Sequence, residues 1–203
     1  MTKSFTRALM LTSAAAISLS ACAANMDGGM DSGMSGQSAN ASGTVMVGGA
    51  AMYPSRTIVE NAVNSRDHTT LVAAVKAAGL VDTLSGPGPF TVFAPTNAAF
   101  AKLPAGLVQT ALKPENRAML QSVLTYHVVP GTITAANLMQ RISAGGGQAR
   151  LTTVQGGTLT ARMMGNRVML VDAKGGMAHV TQADVMQSNG VIHVTDAVSL
   201  PSM

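Results

Sequence analysis

The sequence predicts an α+β domain, with helices mainly in the first half and strands in the second half. Between residues 57 and 141, apolar residues recur at intervals of three and four, which is typical of amphipathic helices. From residue 151 onward, apolar and polar residues alternate between glycine-containing turns, which is typical of antiparallel strands. Because helices and strands are segregated along the chain, a parallel α/β sheet is not favoured.

The helical half begins with a capping box. Thr57 and Glu60 have the spacing at which each side chain satisfies a free backbone N–H, which predicts a short helix from residue 58. A second helix follows Asp67 and ends at Gly79, because a residue without a Cβ is favoured after a helix. The Gly-Pro-Gly-Pro run at residues 86–89 then separates the helices from a short predicted strand at residues 90–94.

Two more helical regions are indicated by their first residues. Thr96 is suited to cap a short helix that begins at Asn97. Pro114 opens a longer helix, whose apolar stripe places His127 at its end on the buried side. A further short helix is predicted from Thr134 to Arg141.

The second half is predicted to consist of strands joined by tight turns. Gly-Gly and Gly-Asn pairs at residues 156–157 and 165–166 supply the backbone freedom that hairpin turns need. The predicted strands are 151–154, 159–163, 168–171, 178–182 and 191–195. Ile192 and Val194 should face one side of the last strand, with His193 half-buried on the other.

The first 21 residues are predicted to be a signal peptide. Lys3 and Arg7 precede an apolar run of about a dozen residues, which is too short to span a bilayer. The run ends in Leu-Ser-Ala-Cys, which resembles the lipobox of bacterial lipoproteins and predicts lipid attachment at Cys22. Ala23 follows the cysteine, which by resemblance favours the outer membrane of a Gram-negative cell. The alternative is ordinary cleavage near Ala21 or Ala24, which leaves a free thiol.

Residues 22–52 are predicted to be a flexible tether before the domain at residues 53–203. The segment consists mainly of Gly, Ser, Ala, Asn and Met, so it offers little apolar surface to bury. Met26, Met30 and Met34 recur every four residues, and thioethers are soft ligands suited to Cu(I). The alternative is that a chain with 15 methionines also carries them in its linker.

Charge and composition disfavour nucleic-acid binding. The chain has 13 Lys plus Arg and 9 Asp plus Glu, and removal of the signal peptide leaves 11 basic residues against 9 acidic ones. The basic residues are scattered singly, among only 2 Tyr and 4 Phe. A nucleic-acid interface needs clustered cations and aromatic platforms, so we expect no nucleic-acid partner.

Three segments resemble the motifs of the fasciclin (FAS1) family. They are FTVFAPTNAAF at residues 90–100, LTYHVVPG at residues 124–131, and GVIHVTD at residues 190–196. The resemblance covers residues 55–201 and implies an antiparallel β wedge or sandwich with helices packed against it. The resemblance also implies that this domain functions as an adhesion module.

The resemblance draws attention to Tyr126 and His127, because a similar Tyr-His pair has been linked to receptor binding in animal members. From the residues alone, a structural role is favoured. His127 continues the buried stripe, so we expect a hydrogen bond to backbone or to the region of Thr96 and Asn97, with Tyr126 in the same core. Thr96 and Asn97 are themselves expected to form a helix cap. Direct contact with a partner remains the alternative.

No pattern for catalysis or zinc binding is present in the sequence. The four histidines, at positions 68, 127, 179 and 193, show neither the i,i+4 spacing nor the His-x-His spacing of metal sites. Nucleophile-elbow and phosphate-loop motifs are also absent. We therefore expect no catalytic residues and no cofactor. The methionines of the domain are interpreted as flexible core filler or as a compositional habit of the chain: Met119, Met139, Met163, Met164, Met169, Met177 and Met186.

Together these observations predict a non-enzymatic, lipid-anchored binding module outside the cytoplasm, facing the periplasm or the exterior. Its function would be cell adhesion or contact within the envelope or matrix. Its partner would be a cell-surface or matrix protein, a glycan, or a second copy of itself. The alternative is an envelope protein that binds a small ligand or copper, through an apolar pocket or the methionine-rich tether.

Overall fold

The computed structural model describes residues 43–202. Predictions for the signal peptide, for Cys22 and for Met26, Met30 and Met34 lie outside these residues. Within the described part there are seven α-helices, and two 3₁₀ turns at Arg66–His68 and Pro114–Asn116. The helices are α1 Ile58–Ala62, α2 Thr69–Ala78, α3 Val81–Ser85, α4 Asn97–Ala101, α5 Leu107–Ala111, α6 Arg117–Tyr126 and α7 Ala135–Ala144.

The strands of the described part form a hairpin and a seven-stranded sheet. The hairpin consists of β1 Val45–Val47 and β2 Ala50–Met52. The order in the sheet is β4-β3-β9-β8-β7-β6-β5, and every neighbouring pair is antiparallel except β3 and β9. Its strands are β3 Phe90–Pro95, β4 Val128–Pro130, β5 Gln148–Thr152, β6 Thr158–Met164, β7 Arg167–Val171, β8 Met177–Gln187 and β9 Gly190–Thr195.

The α+β class and the segregation of helices and strands are confirmed, and local end signals account for most helices. The Thr57 hydroxyl accepts from the backbone N–H of Glu60, and the Glu60 carboxylate accepts from the backbone N–H of Thr57. Gly79 has a φ of +71° and ends α2. Helices α3 and α5 were not predicted, because each has only 5 residues and neither has a side-chain cap.

The parallel pairing of β3 with β9 departs from the predicted antiparallel arrangement. Phe90 lies opposite Gly190 and Pro95 lies opposite Thr195, in continuous register. A Cβ at Gly190 would lie 2.0 Å from the carbonyl oxygen of Phe90, so only glycine permits this approach. The pair joins residues about a hundred positions apart, which periodicity within a segment does not reveal.

Residues 45–52 form a hairpin in the folded domain and not the end of the predicted tether. Val47 and Met52 are buried in the core, and Gly48 and Gly49 both adopt positive φ in the turn between the strands. The hydrophobic stabilisation from burying these two side chains offsets the conformational entropy that is lost when this Gly- and Ala-rich segment becomes ordered.

The sheet has an apolar cluster on each face. One cluster places Val92 and Ile192 beneath α1, α2 and α6, and includes Leu71, Val75, Leu120 and Leu124. The other joins Phe93, Leu138 and Ile142 to the inner faces of β5 to β8, at Leu151, Leu159, Ala161, Leu170 and Ala178. Strand β3, which forms part of the first family-like segment, is therefore buried on both sides.

Strand β8 bends where it passes from β7 to β9. Its register with β9 shifts between Val180 and Gln182 and again between Gln182 and Val185. Asp184 lies in this irregular stretch with a φ of +56°, and its Oδ1 accepts from the N–H of Ala135 at 2.7 Å. The bulge thereby holds the first turn of α7 against the sheet.

Candidate functional site

Tyr126 is a core residue whose hydroxyl makes two backbone hydrogen bonds. Its side chain is 0 % exposed, and Oη donates to the carbonyl of Thr158 at 2.7 Å and accepts from the N–H of Ala173 at 3.1 Å. Burial raises the pKa of Tyr126, so the phenol stays neutral. A Cβ at Gly157 would lie 2.8 Å from the ring, which explains the small residue there. No part of the Tyr126 side chain is therefore exposed for contact with a partner.

His127 is buried at the end of α6 with both ring nitrogens occupied. Nδ1 lies 2.7 Å from the carbonyl of Val123 and therefore donates, while Nε2 accepts from the N–H of Ser199 at 3.0 Å. Burial lowers the pKa of His127, which keeps this neutral tautomer. The expected hydrogen bond to backbone is present, whereas the alternative bond to Thr96 or Asn97 is not among those His127 makes.

Thr96 and Asn97 form a cap and a link between helices. Thr96 Oγ1 accepts from the N–H of Ala99 at 3.3 Å, at the start of α4. Asn97 accepts from Thr70 N–H at 3.0 Å and donates to the carbonyl of Arg66 at 2.8 Å. This pair fixes α4 to the first turn of α2, away from the groups that hold Tyr126 and His127.

His193 is fully buried, which corrects the expectation of a half-buried strand residue. It is 0 % exposed and stacks on Phe93 with 5.5 Å between ring centroids. Nε2 lies 2.8 Å from the carbonyl of Ile133 and Nδ1 accepts from the N–H of Asp184 at 3.3 Å. Burial lowers the pKa of His193. Strand β9 has a neighbouring strand on each side, β3 and β8, and the local sequence does not show that these strands and the segments packed on them bury His193.

Two buried asparagines that sequence reasoning missed connect distant segments. Asn189 accepts from Ile58 N–H at 3.0 Å and donates to the carbonyls of Leu84 and Gly86. Asn61 bonds the backbone of Tyr53 through both its oxygen and its nitrogen and also donates to Gln187. Only the turn-like Ser-Asn-Gly run at residues 188–190 was a signal in the sequence.

An exposed surface lies on the side of β5 to β8 that points away from the core, which we call the outer sheet face. Its side chains alternate with the buried ones, as strand geometry requires. Three arginines and three methionines share it with one histidine. These residues are Arg150, Arg162, Met164, Arg167, Met169, Met177 and His179.

Exposure of several methionines corrects their interpretation as core filler. Met164 is 57 % exposed and Met177 is 60 % exposed, and both lie on the outer sheet face. Met139 and Met186 are also exposed. Met163, by contrast, packs against the core beneath β6. The periodicity of 2 along β6 places Met163 and Met164 on opposite faces, so only one of the two could be core.

The apolar cavities within the described residues include two that lie beside the helices. One, of about 140 Å³, lies between α5 and α6 and is lined by Leu103, Leu107, Val108, Leu112, Met119 and Leu120, among others. The other, of about 40 Å³, lies beneath α1 and α2. Neither is lined by a cluster of titratable groups suited to acid–base chemistry.

Among residues 43–202, no three side chains of His, Cys, Asp or Glu are grouped closely enough to hold a metal ion. In the same part of the chain, no helix has the length and hydropathy needed to cross a membrane.

Comparison with known proteins agrees with this architecture. A family model described as "Fasciclin domain" matches residues 66–201. The chain is 49% identical over 160 residues to Protein sll1483 of Synechocystis sp., covering 79% of this chain and 82% of that protein. It is 37% identical over 168 residues to Immunogenic protein MPB70 of Mycobacterium bovis, covering 80% and 77%.

A solved structure shows the same fold. The FAS1 domain pair of the insect cell adhesion molecule Fasciclin I superposes with a TM-score of 0.62 at 19% identity, covering 70% of this chain and 50% of that one. With the family model, the bacterial relatives and the shared sheet and helix arrangement in agreement, the chain belongs to the fasciclin (FAS1) family.

Proposed function

We propose that this chain is a non-enzymatic, lipid-anchored fasciclin module that mediates adhesion or contacts within the cell envelope or matrix. Family membership supports a binding role, since the structurally similar Fasciclin I is a cell adhesion molecule. Cys22 would carry the lipid in the outer membrane, and the Gly- and Ser-rich segment after it would give the domain reach.

The outer sheet face is the observation that carries the proposal. Tyr126 and His127 are buried with satisfied hydrogen bonds, so a partner must be bound elsewhere. The outer sheet face presents Arg150, Arg162 and Arg167 together, and all three are exposed. Across residues 148–181 the only carboxylate is that of Asp172, which is buried. The face is therefore complementary to an acidic protein or an anionic glycan.

Many copies of the domain tethered to one membrane surface would bind a partner surface at the same time, so that weak individual contacts give stable attachment. Each arginine can form bidentate hydrogen bonds with carboxylate, sulfate or phosphate groups. A single exposed ion pair contributes little, so multivalent presentation is needed for stable attachment. A self-contact would require acidic groups from another face of the second copy, and aggregation of identical beads detects it.

Bead aggregation tests this function directly. Mature chain from Cys22 onward is coupled to beads through that thiol, the only cysteine present, which reproduces the orientation of an anchored protein. Beads are mixed with each other, with cells, and with beads carrying heparin or an acidic protein. We expect clustering with at least one acidic surface, weakened by salt. Absence of clustering with every one of these surfaces would contradict the proposal.

A charge-matched pair of variants locates the face. The variant with Arg150, Arg162 and Arg167 changed to Gln should lose clustering. The control, with Lys76, Lys113 and Arg141 changed to Gln, removes the same charge from exposed positions outside the outer sheet face and should retain clustering. Equal loss in both variants would show that net charge acts, and not this face.

The anchor has a separate test. Substitution Cys22→Ser removes the sulfur to which lipid would be attached. In the native host, the wild-type chain should sediment with membranes and the variant should be soluble. Membrane association that survives Cys22→Ser would overturn lipid anchoring at this residue.

Binding of a small apolar ligand is a second candidate function. The cavity of about 140 Å³ between α5 and α6 is close to the roughly 150 Å³ at which an apolar cavity holds benzene. Benzene should raise the unfolding temperature of the wild-type chain, and Val108→Phe, which fills the cavity, should remove that increase. An unfolding temperature that benzene leaves unchanged would count against this candidate.

A further inference from the structure

The outer sheet face brings together a histidine and a methionine that lie on different strands. Met164 is the last residue of β6 and His179 lies on β8, with β7 between them. The two side chains meet over β7, where Met164 Sδ is 3.3 Å from His179 Nε2. Met169 on β7 is the register partner of His179 and lies on the same face.

We propose that this cluster, His179, Met164 and Met169, binds one Cu(I) ion. The proposal concerns the folded domain and is independent of the adhesion function. It is also distinct from copper binding by Met26, Met30 and Met34, which remains a prediction from the sequence.

The separation of the two ligand atoms fits a shared metal. If bonds are taken as in zinc sites, about 2.0–2.1 Å to imidazole nitrogen and 2.3 Å to sulfur, two ligands at a tetrahedral angle are about 3.5 Å apart. The observed 3.3 Å between Nε2 and Sδ is within about 0.2 Å of that value. A metal ion can therefore bridge the two atoms with only small rotations of exposed side chains.

The histidine is held in the orientation that a metal ligand requires. Asp196 Oδ1 accepts from the backbone N–H of His179 at 2.8 Å, and Oδ2 lies 3.4 Å from Nδ1. A carboxylate beside one ring nitrogen holds the proton there when the other nitrogen binds a metal. Here that other nitrogen is Nε2, which donates to the Met164 thioether in the metal-free structure and would release that proton to solvent when the metal binds.

Lys102 in turn holds Asp196 in place. Lys102 Nζ is 3.5 Å from Oδ2 and donates to the carbonyl of Asp196 at 2.7 Å. Asp196 thus supplies one fixed negative charge behind the imidazole.

Ligand type and surrounding charge select Cu(I) over divalent metals. Two thioethers and one imidazole are soft or borderline ligands, which favour Cu(I) over hard cations. Arg162 pairs with Met169 across the strands and Arg167 pairs with Met164, so two cationic residues neighbour the cluster, and the Arg162 guanidinium donates to Gln148 on β5. Their repulsion weighs more heavily against a divalent ion than against a monovalent one.

The test is an anaerobic titration of Cu(I) against a chromogenic chelator. The full mature chain carries Met26, Met30 and Met34 changed to Ser, so that tether binding does not contribute. We expect one Cu(I) per chain. Met164→Leu and His179→Asn should each weaken binding at least tenfold, and Asp196→Asn should weaken it about 10- to 100-fold. Met139→Leu, an exposed methionine on α7, should leave affinity unchanged.

X-ray absorption identifies the ligands independently of affinity. Copper bound to the chain with Met26, Met30 and Met34 changed to Ser, which we call the tether variant, should have one nitrogen and two sulfur neighbours. One sulfur neighbour should be lost when Met169→Leu is added. The proposal is overturned if the tether variant binds no Cu(I), or if Met164→Leu and His179→Asn bind it as tightly as their parent. Bead clustering does not depend on these outcomes, so failure of one proposal leaves the other to be judged separately.

Discussion

Removal of the Tyr126 hydroxyl separates a structural role from partner contact. The hydroxyl makes hydrogen bonds with Thr158 and Ala173 backbone groups, and Tyr126→Phe leaves both without it. Each such bond contributes about 0.5–1.5 kcal/mol. Because Thr158 and Ala173 are themselves exposed residues, water replaces part of what is lost. We therefore expect the free energy of unfolding to fall by about 1–2 kcal/mol, the lower half of the summed range.

Urea unfolding followed by circular dichroism measures this change, since the chain has no Trp to report by fluorescence. The corresponding decrease in unfolding temperature is about 2–8 °C. Tyr53→Phe is the matched control, because Tyr53 is the other tyrosine of the chain and is 42 % exposed. Its unfolding free energy should change by less than about 0.5 kcal/mol.

Clustering of beads completes the comparison. At a temperature where Tyr126→Phe remains folded, its clustering should equal that of the wild-type chain, because the hydroxyl lies inside the domain. The reasoning is refuted if Tyr126→Phe unfolds like wild type yet loses clustering, since the hydroxyl would then contact the partner and not the backbone.

Three other outcomes are expected. The free energy of unfolding should fall as pH drops below about 6.5, because the unfolded chain binds protons that neutral, buried His127 and His193 exclude. The decrease should reach up to about 1.4 kcal/mol per pH unit for each of these histidines, and urea titrations at several pH values measure it. Asn189→Ala should cost about 2–4 kcal/mol in the same assay, since three backbone groups lose their partner, while exposed Ser188→Ala should not. Asp184→Ala should cost about 2–3 kcal/mol through left-handed strain and a lost hydrogen bond, whereas Asp184→Asn keeps both features and should cost under about 0.5 kcal/mol.

Each of these outcomes has a clear contrary result. Stability that is flat between about pH 5 and 7 would mean that the folded histidines take up protons as readily as the unfolded ones. Equal stability of Asn189→Ala and Ser188→Ala would show that water satisfies the freed backbone groups. Equal loss in both Asp184 variants would place the effect in the carboxylate charge and not in backbone conformation.

Local signals in the sequence predicted the elements that local contacts stabilise. The capping box of Thr57 and Glu60, and the glycine that ends α2, depend on residues within one turn of each other. The hairpin at residues 45–52 also had a local signal, a Gly-Gly pair between two short apolar runs, but the surrounding Gly-rich composition concealed it. Its stability comes from Val47 and Met52 in a core built by later segments.

Pairings between residues far apart in the chain could not be predicted from the hydrophobic pattern of single segments. Neither the parallel register of β3 with β9 nor the complete burial of His193 follows from the alternation along one strand. The approach of Met164 to His179 depends on two successive registers, β6 with β7 and β7 with β8, and a shift of one residue in either would put the side chains on opposite faces. Hydrogen-bond partners of Asn189 are likewise 103 to 131 positions away.

Family resemblance and binding function depend on different residues in this chain. The three family-like segments supply β3, the end of α6 with β4, and β9, and these strands pair with one another at one end of the sheet. Most side chains of these segments are buried, so they determine the fold and are inaccessible to a partner, whereas Asp196 at the end of the last segment is partly exposed. The arginines and methionines of the outer sheet face lie on β5 to β8, toward the other end of the sheet. Substitutions on that face are therefore the ones that can change binding without changing stability, and substitutions in the motifs should do the reverse.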